Sequence, residues 1–449
     1  MKRNPAEDIV SFLSFSAEPC EHLKAVEKLS ARKWTHVLQW LDDSGLAFYF
    51  LQKLRETHAT NVVPGPVLSR LEDNFAANQL RVKDMSRRFG DINHRFDEAG
   101  VRYAVLKGFS LVPQFCPDAT LRYQGDFDYL VEDQSLPTAR RVLGEIGYCQ
   151  KPQLTSQEFT FAVPQMARPA RSAEQYQARA PHVVELHLDV WDSDLNRLPL
   201  MQRQFSAERT TTHIWNQLAF PALSDEDAFL LQVLHTCRHL FTYWIRMSCL
   251  LEIARFLASR ASDEALWSRI EQRVGDNWML RELTVVTTEL VAGLFAAPVP
   301  RLIRDWGRGI RSATRVWTDH YARRCAFCDL PVYQFKLFPR SKLILFLHQQ
   351  YEGACAEKNL VRNQLIVPSR LARIASSVRN KPSLVLNAGW WKRQLLMRRS
   401  IFHILAGARY VCELPRWWWL NRATARPLAE SLDGQVRGGS LDSDFRATN

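Results

Sequence analysis

The sequence predicts an α+β fold, in which a small mixed sheet is flanked by N-terminal and C-terminal helical regions. Three observations predict it. Through residues 6–100 apolar side chains recur at helical spacing, as in Trp34, Val37, Leu38 and Leu41. From Val101 the pattern shifts to short β-prone runs, and from Ser224 it returns to helix. Five regions follow: a helical region over 1–100, a sheet core over 101–223, a second helical region over 224–380, a basic tryptophan-rich helical segment over 381–430, and a tail over 431–449. The tail is rich in Gly, Ser and Asp and is expected to be disordered.

Leu68, Leu71 and Phe75 continue the helical stripe after a connector, Asn61–Pro66, that carries two prolines and a glycine. Val82–Ala99 reads as one amphipathic helix stopping near Gly100. Val101–Leu106 is a strand running into the turn Lys107-Gly108, with a short helix starting in Phe109–Phe115. Phe127–Val131 is the next strand, and Leu136–Ile146 is a helix that Gly147 stops. Phe159–Val163 and Val183–Trp191 are further strands, separated by Gln165–Pro181, a loop or insertion rich in Ala, Arg and Gln. Ser224-Asp225-Glu226-Asp227 forms an acidic helix start. Leu230–Leu257 and Leu280–Phe295 are the strongest helices beyond it, and no internal repeat is visible.

Chemistry concentrates in Gly125-Asp126-Phe127-Asp128-Tyr129-Leu130-Val131. Alternate strand residues share a face, so Asp126 and Asp128 project together. Two adjacent carboxylates repel unless a positive charge lies between them, and Mg²⁺ meets that need with carboxylate and phosphate oxygens. Upstream, Gly108 permits close approach of a ligand to the backbone, and the helix start beyond it favours phosphate. Downstream, Glu185, His187 and Asp189 fall on one face of a strand whose other face is Val184, Leu186, Leu188 and Val190. Each piece taken singly also reads as the wet edge of a sheet. Together that explanation must be invoked three times.

The order Leu106-Lys107-Gly108, then Arg122 with Asp126 and Asp128, then Glu185-Leu186-His187 resembles the nucleotidyltransferase superfamily. More narrowly it resembles the bacterial family of uncharacterised nucleotidyltransferases, NTP-transferase type five, over roughly residues 30–350. The resemblance implies that Asp126, Asp128 and Glu185 are catalytic and hold two Mg²⁺ ions. It implies that Lys107, Gly108, Ser110, Arg122 and His187 contact an NTP such as ATP. The expected reaction moves a nucleoside monophosphate to a hydroxyl of a small molecule, peptide or saccharide and releases pyrophosphate. His235, His239, Arg246 and Glu252 match a helical motif of the family, with Glu252 where aspartate is usual. The family's Gly-Ser turn is altered, since Phe109 separates Gly108 from Ser110. Two other classes stay open: a non-catalytic, antitoxin-like binding module of the same fold, and a transferase directed at nucleic acid.

A formal charge of +12 fits a polyanionic partner without choosing which. No RRM or KH motif is visible, so nucleic acid ranks behind a small acceptor. Residues 381–429 interleave Trp390, Trp391, Trp417, Trp418 and Trp419 with arginines, and Glu413 is the single acid there. That pattern suits peripheral contact with an anionic membrane, or a helix packing its indoles on the core. The nine cysteines are scattered and no secretory leader is evident, so a cytoplasmic location is expected, with association at the membrane face left open. Cys325 and Cys328 make one CxxC, a weak zinc signal on its own.

Overall fold

The computed structural model describes residues 5–16, 22–151, 157–164, 175–177, 182–190, 209–241, 245–327, 397, 404, 408 and 411–424. The chain forms two compact units, one of residues 1–308 with 326–330, the other of 309–325 with 331–449. The expected boundaries at residues 100 and 223 both fall inside the first unit.

The first unit begins with helices α1 (Pro5–Phe12), α2 (Leu23–Glu27), α3 (Ala31–Ser44), α4 (Ala47–Glu56) and α5 (Gly65–Glu98). Helix α5 starts at Gly65, seventeen residues before the expected Val82, with Pro66 in its first turn, where the missing N–H costs nothing. Its 34 residues span about 50 Å. Strands β1 (Tyr103–Val105) and β2 (Asp126–Val131) come next, then α6 (Leu136–Glu145), β3 (Cys149–Gln150), β4 (Glu158–Ala162), β5 (Val183–His187), β6 (Thr210–Trp215) and β7 (Leu218–Leu223). Helices α7 (Asp225–Phe241), α8 (Met247–Arg260), α9 (Glu264–Val274), α10 (Trp278–Phe295) and α11 (Arg301–Arg308) follow.

The seven strands form one mixed sheet in the order β3-β4-β5-β2-β1-β7-β6. Strands β2 and β5 pair in parallel, as do β1 and β7 at Val105 and Ala222, and the other neighbours are antiparallel. Helix α5 covers one face. Its Phe89 ring lies 5.0 Å from Phe109, 5.8 Å from Phe127 and 4.9 Å from Phe220, and Phe96 lies 5.4 Å from both Tyr103 and Tyr129. Tyr129 donates its hydroxyl to Asn93 at 2.9 Å, so this polar tip is satisfied. On the opposite face Ala104, Leu106, Leu130 and Leu223 pack with Leu231 of α7. Strand β2 therefore alternates cleanly: Phe127, Tyr129 and Val131 meet α5, while Asp126, Asp128 and Leu130 point the other way.

Several elements differ from expectation. The segment Phe109–Phe115 contributes only a 3₁₀ turn, Gly108–Leu111. Strand β5 stops at His187, and Val190 packs with the Leu130–Leu231 cluster on the face opposite Val184 and Leu186. The expected alternation through Asp189 and Val190 is thus broken by a turn in the backbone. The single helix expected over Leu230–Leu257 is two helices, because Arg246 is extended and its guanidinium reaches the Tyr123 carbonyl at 3.4 Å. The β6–β7 hairpin and the short β3 carry no expectation at all.

In the second unit Ser312–Trp317 is helical and continues through one π turn, Thr318–Ala322. Residues 411–424 are helical, with Trp417 buried 6.0 Å from the Tyr321 ring and Trp418 and Trp419 exposed. Trp390, Trp391, Cys328, the tail 431–449 and most of Gln165–Pro181 lie outside the described residues. Among the described residues no helix is long and apolar enough to cross a membrane.

Candidate functional site

The site forms where β1 ends and β2 and β5 run side by side. Leu106 still donates its N–H to the Asp128 carbonyl at 3.0 Å, and the chain then turns sharply at Gly108. Gly108 has φ +71°, and a Cβ there would collide with the Gln124 side-chain amide. Only glycine fits both demands. Gln124 in turn donates to the Asp126 carbonyl at 3.0 Å, so one side chain ties the glycine turn to the start of β2. Ser110 donates its hydroxyl back to the Lys107 carbonyl at 3.3 Å, closing the 3₁₀ turn.

The register sets Asp128 opposite Glu185 and Leu130 opposite His187. Paired residues share a face, so three polar side chains from two strands, Asp128, Glu185 and His187, converge. Lys107 Nζ lies 3.0 Å from Asp128 Oδ1. His187 Nε2 lies 3.1 Å from the same oxygen and 3.8 Å from Glu185 Oε2. Asp128 is 3% exposed, so these contacts replace its water almost completely.

Burial opposes ionisation of Asp128, yet the Lys107 ammonium and the His187 ring outweigh it and hold this carboxyl well below the usual carboxylate range. Its neighbours go the other way. Burial, then the charge of Asp128, pushes Asp126 up against the pull of Lys107, Arg122 and Arg246. Burial, then Asp128, Asp126 and Glu158, pushes Glu185 well above its ordinary value. Burial alone would lower Lys107, but Asp128, Asp126 and Glu185 together raise it. Three carboxylates thus crowd one buried pocket, where a divalent cation would relieve both the cost of burial and their mutual repulsion.

Asp128, Glu185 and His187 each offer a ligand atom, and these atoms lie within 4.8 Å of one another. Asp126 is not part of that group. Two carboxylates with an imidazole fit a divalent ion that keeps positions for phosphate oxygens. Asp189 lies beyond the end of β5 and is buried.

A second layer surrounds the carboxylates. Arg122 Nε donates to Glu252 Oε1 at 3.0 Å, and the Tyr49 hydroxyl lies 3.3 Å from that oxygen and 3.0 Å from Cys116 Sγ. The Tyr123 ring lies between two guanidiniums, Arg81 at 5.4 Å and Arg246 at 5.0 Å from its centre. His235 and His239 stand on α7 with ring centres 4.5 Å apart. The sequence marks Glu252 plainly, as the one charge in the apolar run Cys249-Leu250-Leu251-Glu252-Ile253-Ala254, but spacing alone does not pair it with a residue 130 positions earlier. Gln124 and Tyr49 carry no such mark.

A family model described as uncharacterised nucleotidyltransferase matches residues 30–296. No curated protein matches. Among solved structures, an antigenic nucleotidyltransferase-like protein from Paracoccidioides brasiliensis is 12% identical, with a TM-score of 0.28, covering 49% of this chain and 94% of that one. A likeness at that level carries no argument about function.

Proposed function

The chain belongs to the uncharacterised nucleotidyltransferase family, and on that premise we propose that it moves a nucleoside monophosphate from an NTP to a hydroxyl of a small-molecule, peptide or saccharide acceptor. The observation that carries this reading is the in-register pairing of Asp128 with Glu185, with Lys107 and His187 both on Asp128.

In the reaction the acceptor oxygen bonds to the α-phosphorus, the bond from that phosphorus to the bridging oxygen breaks, and pyrophosphate leaves. Glu185 is suited to take the hydroxyl proton, because its surroundings raise its proton affinity toward that of a working base. His187 fixes Asp128 and stands beside Glu185, so it orients both carboxylates. Lys107 keeps Asp128 ionised and brings a buried positive charge to where phosphate oxygens would sit. A divalent ion, Mg²⁺ by its preference for oxygen ligands, would be held by Asp128 and Glu185 with Asp126 alongside, and would supply charge to the triphosphate and acidify the acceptor hydroxyl.

The test is pyrophosphate release from each NTP with Mg²⁺ and a host metabolite extract. Asp128→Asn should cut the rate at least about 100-fold, with the melting temperature moved by only a few degrees. Undiminished release by that variant overturns the reading. Absence of release by the wild type under every NTP and extract favours a non-catalytic binding module.

A further inference from the structure

We propose that Glu252 is a positioning residue for nucleotide binding: it locks the elbow of Arg122 so that the two terminal nitrogens of the guanidinium are presented to the triphosphate. The proposal rests on the transfer reading only in placing a triphosphate at the carboxylate pocket.

Glu252 is wholly buried in the middle of α8, among Leu250, Leu251, Ile253 and Ala254. A buried carboxylate is costly unless a cation and hydrogen bonds compensate it. Here one oxygen is compensated twice. Oε1 accepts from Arg122 Nε at 3.0 Å and lies 3.3 Å from the Tyr49 hydroxyl. Oε2 is buried and has no hydrogen-bond partner among the described residues. Helix α8, helix α4 and the segment entering β2 are thus joined through a single oxygen.

What this does to Arg122 follows from which nitrogen is used. A guanidinium that pairs with a carboxylate for stability alone commonly does so with two parallel N–H bonds. Arg122 uses Nε, the nitrogen nearest its own stem. Its Nη1 and Nη2 make no hydrogen bond among the described residues and are not among the buried unpaired atoms. The side chain as a whole is 13% exposed. Both terminal nitrogens therefore keep some exposure. Arg122 belongs to the short segment entering β2 whose Gln124 packs on the Gly108 turn and bonds the Asp126 carbonyl, which sets it beside the carboxylate pocket, and its charge and that of Asp126 act on each other. A fixed planar fork with its own counter-ion behind it suits the oxygens of a polyphosphate, and Lys cannot reproduce it.

The experiment is a double-mutant cycle on equilibrium binding of a non-hydrolysable NTP analogue with Mg²⁺, using full-length protein. Glu252→Gln keeps the shape of the side chain and an acceptor oxygen but loses the charge. It should weaken analogue binding about tenfold, and Arg122→Lys should weaken it by a similar factor. The double variant should bind no more weakly than Arg122→Lys alone, because Glu252 acts through Arg122. Glu252→Asp should recover part of the loss. In turnover the deficit should appear in KM for the NTP more than in kcat. Unchanged analogue binding in Glu252→Gln, or full additivity in the double variant, overturns the proposal, whatever happens to the melting temperature. Analogue binding that follows this pattern without any transfer activity would sink the transfer reading and leave this inference standing. No binding by the wild type overturns both.

Discussion

Glu185 illustrates how one residue trades stability for chemistry. Its carboxyl is raised well above 4.5, the ordinary value, by burial first and then by Asp128, Asp126 and Glu158. The sign of the linkage follows. Between the unfolded and folded pKa values the folded chain binds more protons than the unfolded one, so stability falls as pH rises through that window. At neutral pH the metal-free protein already bears the part of that cost that accrues above the ordinary carboxylate value. Glu185→Gln should therefore melt higher than the wild type at pH 7 without metal, should lose this advantage near pH 4, and should not turn over. Calorimetry of both proteins across that pH range checks it. Gly108 is the complementary case, where geometry rather than charge decides. Its φ of +71° and its contact with the Gln124 amide penalise any side chain. Gly108→Ala should lose about 2 kcal/mol or more, from roughly 1–2 kcal/mol of left-handed strain plus the displaced amide. Urea unfolding measures it.

At the scale of elements, period two was enough to place Asp126 and Asp128 on one face and Glu185 and His187 on another strand facing the same way. The alternation is strict there because Phe127, Tyr129, Val184 and Leu186 are all drawn under one helix or into the core. Where such a core demand ends, legibility ends too. The expectation outran strand β5 because Leu188 and Val190 keep the apolar period in sequence, although the ladder has already stopped. The β6–β7 hairpin was invisible for a different reason. Its turn, Asn216-Gln217, holds both residues at positive φ (49° and 66°) without a glycine, and Pro221 lies inside β7. Pro221 is tolerated because β7 meets β1 only at the Val105–Ala222 pair. Gln217→Gly should stabilise the protein by about 0.5–1 kcal/mol, since it removes a left-handed penalty at a turn that already prefers Asn-Gly. A shift of the urea midpoint to lower concentration would contradict it.

At the scale of the molecule, the sequence showed helices on both sides of a sheet and the order of the motifs, but not the pairing. Strands β1 and β7 are joined across more than a hundred residues, and no local pattern announces which strand lies beside which. The charge of +12 likewise says little about the carboxylate pocket, where Asp126, Asp128 and Glu185 raise one another's proton affinity or are held by Lys107. A cation that binds only the folded state raises stability by mass action, about 2.7 kcal/mol at a hundred times its Kd. Mg²⁺ should therefore raise the melting temperature of the wild type, EDTA should reverse it, and Asp128→Asn should respond to neither. A thermal shift of equal size in the variant would place the ion elsewhere.

The parallel pairing of β2 with β5 has a consequence in time. Asp128 and Glu185 are about 57 residues apart along the chain. At about 5–20 residues per second, a ribosome needs about 3–11 s to deliver the second after the first. Strands β1 and β2, with Lys107 and Asp128, are both synthesised before β5 is made. The complete carboxylate pocket therefore waits on the arrival of β5.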